Sequence, residues 1–246
     1  MEGRILLATK SSAHENLALE EAILRKLNIF TVRIWSNQKS VIIGRSQLAS
    51  LETDLELCKK LQFSVVRRIS GGGAIYNGPG NINWSFFIPE GYVSDSIYFT
   101  RDVKELLSIA GSFMARCFTL LGCYSRYKES AIYSSEGKIS GISAYITKDK
   151  VLCHGTLLTN ADLEIVQKLT TPKEESAERK YRRSNCAKIA NSWVRYEELV
   201  SKIIEMIGID YVKDEESYEE SMECMKLTEN KYIKESWNLG DPFEFE

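Results

Sequence analysis

The chain has 246 residues, 43% of them hydrophobic, enough for one large domain or two small ones with a buried core. Its 32 basic and 34 acidic residues nearly cancel, which excludes the whole-molecule field that gathers nucleic acid or a membrane surface. Two histidines cannot build a multi-histidine metal centre, and six scattered cysteines without a CxxC pair argue against zinc and structural disulfides.

In chain order, Ile5 to Ala8 reads as a strand, and Ala13 to Leu27 as a helix behind a Ser11/Ser12 cap, with Leu17, Glu20, Glu21 and Leu24 at helical spacing. Phe30 to Ser36 and Ser40 to Arg45 are β-rich runs around the turn Asn37-Gln38-Lys39 and are expected to be neighbouring strands. A short helix begun by Thr53 is expected over Asp54 to Leu61, then a strand from Ser64 to Ile69 that runs into Ser70-Gly71-Gly72-Gly73. β character resumes at Ala74 to Asn77 and Asn81 to Ile88, and Asp102 to Leu121 is the longest amphipathic helix. Ala131 to Thr159 alternates like paired strands, with Lys138 opening the middle one. Helical patterns return at Ala161 to Leu169, Tyr196 to Ile207 and Asp214 to Leu227. Helices that do not alternate regularly with strands predict an α+β fold with mixed, largely antiparallel sheets. No apolar run approaches the roughly 20 residues of a membrane span, and the N-terminus lacks a signal-peptide core, so a soluble, cytoplasmic chain is expected.

Arg67 to Asn81 carries the chemistry. Side chains alternate along a strand, so only one of Arg67 and Arg68 can face a given pocket. Three glycines after them allow positive φ and bare N–H groups against an anion, with a guanidinium as a charged clamp. Alone, Gly71 to Gly73 reads as a flexible hairpin loop, and Lys138 as one more exposed lysine after a turn. His154 alone reads as a satisfied strand histidine.

The run RRISGGGAIYNGPGNINWS closely resembles the RRxSGGGAVxHxxGNxxxS motif of lipoate–protein ligases. NLALEEAIL, WSNQKSVIIGRSQ and GKISGISAYITKDKVLCHGTLLTNADL are similar to further segments of that family, so the resemblance spans most of residues 13 to 193. It implies a biotin/lipoate ligase-like fold, one catalytic domain over residues 1–246, ATP with Mg2+, and lipoate as substrate. The reaction it implies is formation of lipoyl-AMP, then transfer to a lysine on the lipoyl domain of a 2-oxoacid dehydrogenase E2 subunit or on the glycine-cleavage H protein. By the same resemblance Lys138 is the catalytic lysine. Arg68, Gly72, Gly73, Ala74, Ile75 and Tyr76 line the ATP and lipoyl-AMP site, with Asn81 close by and His154 in a supporting contact; no metal ligand is assigned.

Two positions depart from the pattern, Asn77 where relatives have histidine and Cys153 where they have the first of two histidines. An amide cannot serve as a general base, so no such role is expected at Asn77. The ending KYIKESWNLGDPFEFE resembles the catalytic subunit of split archaeal-type ligases, which implies a separate accessory protein for activation and no C-terminal accessory domain here. An octanoyltransferase of the same fold would need a cysteine shortly before Gly137, where the chain reads KESAIYSSE, or after a proline where it has Pro172-Lys173. Cys123 lies too early and Cys186 about a dozen residues beyond. A non-catalytic lipoyl-AMP-binding module is the third reading.

Overall fold

In the computed structural model, residues 3–172, 180–208, 212–213 and 215–244 are described. The first half of the chain forms β1 (Gly3–Leu6), α1 (Ala13–Lys26), β2 (Phe30–Trp35), β3 (Ser40–Ile43), α2 (Ala49–Glu52), α3 (Leu55–Lys60), β4 (Ser64–Arg67), β5 (Ile75–Asn77), β6 (Asn81–Pro89) and α4 (Val103–Leu120). Then follow β7 (Ser125–Lys128), β8 (Ala131–Ser134), β9 (Lys138–Ile146), β10 (Lys150–Leu158), α5 (Leu163–Thr170), α6 (Tyr196–Ile207), β11 (Val212–Lys213), α7 (Tyr218–Leu227) and α8 (Glu235–Leu239). Two sheets result, one in the order β11-β1-β2-β6-β10-β9-β8-β7 and a small one in the order β4-β3-β5. Six pairings are antiparallel and three parallel, so the α+β, largely antiparallel expectation holds.

Helix α1 starts where the sequence places it, because Ser12 and Glu15 cap each other. Ser12 Oγ accepts from Glu15 N–H at 3.2 Å and the Glu15 carboxylate accepts from Ser12 N–H at 3.0 Å. The apolar face of α1 packs with Phe87 and Leu152 on one side of the large sheet, and α7 closes over it through Cys224 and Leu227. On the opposite side, Phe113, Met114 and Phe118 of α4 cover Phe30, Trp84 and Phe86. A third cluster joins β3 to α3 and α5 through Val41, Ile43, Cys58, Val166 and Leu169.

Several expectations are corrected. β2 and β3 are not neighbours: β2 pairs with β6 in the large sheet and β3 with β4 and β5 in the small one. Asn16 Nδ2 donates to Asn37 Oδ1 at 2.9 Å and anchors the intervening turn where the chain leaves the large sheet. The α3 cap is Asp54, whose carboxylate accepts from Leu57 N–H at 3.0 Å, while Thr53 donates its hydroxyl to Leu169 O at 2.8 Å. The helix expected from Asp214 begins at Tyr218 behind Ser217, and Asp214 itself lies outside the described residues. β7, α2 and α8 carry no strong periodicity and were not anticipated. Among the described residues no helix is long and apolar enough to cross a membrane.

Candidate active site

The twin arginines diverge as strand alternation requires. Arg67 is fully buried and donates away from the glycine turn, to the backbone carbonyls of Trp237 (2.7 Å), Arg45 (3.1 Å) and Gly240 (3.0 Å). Arg68 faces the cavity, but its guanidinium chiefly folds the turn. Nε donates to Ser70 Oγ at 3.0 Å, Nη1 to Ile42 O at 3.2 Å, and Nη2 to the carbonyls of Gly71 and Gly73, the latter at 2.9 Å. Four of its five N–H donors are therefore committed. The simple charged clamp expected from sequence becomes a scaffold, and burial lowers the Arg68 pKa to about 10.

Glycine is needed at two places here. Gly72 has φ +90°, and a Cβ on Gly44 would stand 2.3 Å from the Gly72 carbonyl oxygen. With the turn fixed this way, the N–H groups of Gly71, Gly72 and Gly73 meet no acceptor among the described residues. Bare amides beside a cationic side chain are what an anion needs.

Behind the turn runs a buried chain of hydrogen bonds. Ser70 Oγ lies 2.6 Å from His154 Nε2, and His154 Nδ1 lies 2.9 Å from Glu20 Oε1. Glu20 also accepts from the Ser85 hydroxyl at 2.6 Å. An ionised carboxylate only accepts, so the proton is on Nδ1; in the neutral ring Nε2 then accepts from Ser70. Burial alone would raise the Glu20 pKa, but His154, Ser85 and Arg33 together hold it below the usual carboxylate value. The order Ser–His–Glu resembles a nucleophilic triad, yet Ser70 is buried behind the turn and already accepts from Arg68. The chain of bonds therefore braces the turn against α1. We predict that Glu20→Gln, which removes the charge and one acceptor oxygen, costs about 1–3 kcal/mol at pH 7. Because the folded pKa is depressed, this stabilisation is present above pH 4.5 and is lost as pH falls through the folded pKa below it. Urea titrations should show the wild-type advantage shrinking over that acid range.

Lys138 opens β9 on a cavity wall that also carries Glu20 and Glu129, neither of which is paired with it. No hydrogen-bond or ion-pair partner meets its ammonium among the described residues; burial, and next the positive charge of Arg68, lower its pKa. It lies on the wall shared by two cavities, of about 360 Å3 and about 170 Å3. The larger is lined by apolar side chains of both main clusters, Leu17, Trp35 and Ile42 from one and Leu107 and Ile142 from the other, and by the polar glycine turn, Lys138 and His154. The smaller runs along Ala74, Ile75 and Tyr76 to Leu158, Val166 and Thr170.

Of the residues singled out in the sequence, Arg68, Gly72, Gly73, Ala74, Ile75, Lys138 and His154 line the larger cavity and Tyr76 the smaller. Asn81 lines neither. It shares a face of β6 with Asn83 and Ser85 but lies nearer the strand's start, opposite Leu158, beside a separate recess near Trp193. Asn83, two residues on, reaches the larger cavity instead and forms a reciprocal amide pair with Asn77, at 2.6 and 2.9 Å. Cys153 points into the core because its neighbour His154 takes the cavity face, and burial pushes its thiol pKa up. Sequence reasoning missed Ser70, Glu52, Arg182, Arg183 and Ser184. For Glu20 a signal existed, an acid inside the apolar stretch LALEEAIL.

Comparison with known proteins agrees with this geometry. Residues 12–199 match the family described as the lipoyl protein ligase A/B catalytic domain. Lipoate-protein ligase A subunit 1 of Thermoplasma acidophilum is 28% identical, over 98% of this chain and 97% of that protein. A solved lipoate-protein ligase A bound with ATP superposes with a TM-score of 0.81 at 26% identity, covering 98% of this chain and 99% of that one. A bi-partite lipoate protein ligase of T. acidophilum, solved in a study with its E2 lipoyl domain, gives a TM-score of 0.80 at 26% identity, covering 98% and 97%. Motif, fold and matched length together show that the chain belongs to the lipoyl protein ligase A/B catalytic domain family.

Proposed function

We propose that this chain is the catalytic subunit of a lipoate–protein ligase, which activates lipoate with ATP to lipoyl-AMP and transfers the lipoyl group to a lysine of a lipoyl domain. The observation that carries this reading is Lys138, a half-buried ammonium without an ion-pair partner among the described residues, on the wall shared by a partly apolar cavity and a second, smaller one. The larger cavity suits the acyl chain, and the smaller, beside Ala74 to Tyr76, suits adenosine. Activation forms a bond from the lipoate carboxylate to the α-phosphorus and expels pyrophosphate. Transfer forms the amide and expels AMP. Lys138 lies where it can touch the carboxylate and the α-phosphate together and offset the charge that moves in both steps.

Mg2+ belongs to this reading as a companion of the triphosphate. Among the described residues no group of three or more metal-ligating side chains exists, and internal donors already engage Glu20 and Glu52. The described residues therefore do not form a resident metal site. The acceptor and the accessory protein rest on relatives, one described as a subunit 1 and one as bi-partite and solved in a study with its E2 lipoyl domain.

The test is a lipoylation assay with an apo lipoyl domain. Synthetic lipoyl-AMP is expected to support transfer by this chain alone, and ATP with lipoate to need a second subunit. No transfer from lipoyl-AMP would sink the ligase reading, and full ATP-dependent activity of the single chain would sink the two-subunit part. One observation keeps the octanoyltransferase alternative in view, since Cys186 is exposed and lines the smaller cavity with Lys138. Lys173, at the usual Pro-Cys place, lies outside the described residues. A stable octanoyl thioester on Cys186, found by mass spectrometry after incubation with octanoyl carrier protein, would favour that alternative.

The lowered Lys138 pKa gives a pH signature. An anionic adenylate beside Lys138 favours its charged form, so binding takes up a proton wherever free Lys138 is neutral. Lipoyl-AMP affinity is then steady below the folded pKa and weakens as pH rises through it toward 10.5, the ordinary lysine value. Calorimetry in buffers of different ionisation heat should detect the uptake, and Lys138→Ala should abolish it.

A further inference from the structure

Residues 181–190 cross the site without regular helix or extended strand, joining the far side of the glycine turn to the start of β9. Tyr181 donates its hydroxyl to Asp241 at 2.7 Å, and Arg182 N–H donates to Ser46 O at 3.0 Å. At the other end Lys138 N–H donates to Lys188 O at 2.8 Å and Ala190 N–H to Lys138 O at 3.0 Å. Arg182, Arg183, Ser184 and Asn185 of this strap all line the larger cavity.

Ser184 rests directly on the turn. Its Oγ accepts from Ala74 N–H at 2.8 Å, and a Cβ on Gly73 would come within 2.9 Å of that oxygen. The Ser184 hydroxyl donates at 2.5 Å to Glu52, a fully buried carboxylate at the end of α2. Three more donors converge on Glu52: Ser184 N–H at 2.9 Å, Gln47 Nε2 at 2.6 Å and Arg183 Nε at 2.6 Å. The consequence falls on one peptide plane. Between Gly73 and Ala74 the N–H is held by Ser184 and the carbonyl by Arg68 Nη2 at 2.9 Å. Held at both edges, the plane cannot rotate its carbonyl toward a bound anion.

We propose that Glu52 is a positioning residue for nucleotide binding, acting through Ser184 to hold the strap on the glycine turn and fix the Gly73–Ala74 peptide plane. This inference rests on the nucleotide-binding role given to the turn above. A buried carboxylate is costly as mere packing, and an apolar side chain would fill its place at least as well. Its four donors come from the Gln47 turn and the strap, and through Ser184 its hold reaches the glycine segment; these are the parts whose relative placement shapes both cavities. Without it, the Gly73 carbonyl can turn into the cavity and oppose a phosphate.

The experiment compares the full-length wild type with Glu52→Gln and with Ser184→Ala, a change on the partly exposed strap that does not endanger the core. Hydrogen exchange at the Ala74 amide is followed by NMR without ligand, and dissociation constants for ATP and for lipoate are measured by titration. Both variants should exchange Ala74 at least about tenfold faster, with β6 and β10 amides unchanged, and bind ATP about tenfold more weakly with lipoate affinity kept. Ala74 exchange at the wild-type rate in Ser184→Ala overturns the latch. Equal weakening toward ATP and lipoate overturns the nucleotide-specific role and leaves general loosening. A wild-type chain that binds no ATP defeats the proposed function and the nucleotide role of Glu52 together, and the Ala74 exchange still decides whether the latch exists.

Discussion

Lys138→Ala is expected to lower the turnover of ATP-dependent lipoylation by about a thousandfold, the scale seen when a preorganised charge donor is removed from an enclosed site. The size follows from isolation. Among the described residues the other cations of this cavity are placed for other work: Arg68 spends four of five donors on the turn, Arg183 is paired with Glu52, and Arg182 stands exposed on the segment that crosses the site. Folding should not suffer, since the substitution removes a partly buried cation without an ion-pair partner among the described residues. Thermal melting at or above the wild-type temperature, with turnover lost, is the expected pair of results. Lys138→Arg should not rescue, because a planar guanidinium replaces a compact ammonium packed 3.6 Å from the position a Gly141 Cβ would take. The same variant separates enzyme from binding module. If lipoyl-AMP binding weakens while wild-type transfer was never measurable, the chain is a ligand-binding remnant; if transfer falls a thousandfold, it is a catalyst.

Much of this arrangement was legible before any coordinates. Strand alternation alone split Arg67 from Arg68, and the glycine run with Lys138 marked a site that the fold does assemble. Local signals also fixed α1, where the Ser12–Glu15 cap is written in four consecutive residues. What stayed hidden depends on contacts between distant segments. Ser184 meets Glu52 across 132 positions and His154 meets Glu20 across 134, and no periodicity records such pairs. Asn81 stands apart from the larger cavity for a different reason. Each step of two residues along β6 advances a side chain by roughly 7 Å, and Asn83 takes the cavity position.

Arg67 gives the second large effect, and it concerns stability. Its guanidinium is a fully buried cation bound to main-chain carbonyls, among them those of Trp237, Arg45 and Gly240. Trp237 answers by donating its indole N–H to Arg67 O at 2.9 Å, and Asn238 Oδ1 accepts from Arg67 N–H at 3.0 Å. Arg67 thus ties α8 and the Gly44–Gln47 turn to β4. Arg67→Met keeps much of the volume and strands several buried acceptors at once, for an expected cost of about 3–5 kcal/mol. For a chain of this size that corresponds to a melting point lower by roughly 10 °C. Lysine is a poor substitute, because a single ammonium cannot span carbonyls on two separate segments. Arg68→Met offers the contrast. It frees the carbonyls of Gly71 and Gly73 at the cavity wall, where water can reach them, so its main expected loss is in ATP affinity. Chemical denaturation and ATP titration of the two variants should therefore move in opposite order, Arg67→Met chiefly in the first and Arg68→Met chiefly in the second. Equal behaviour in both assays would show that the two arginines do not divide their labour between α8 and the cavity.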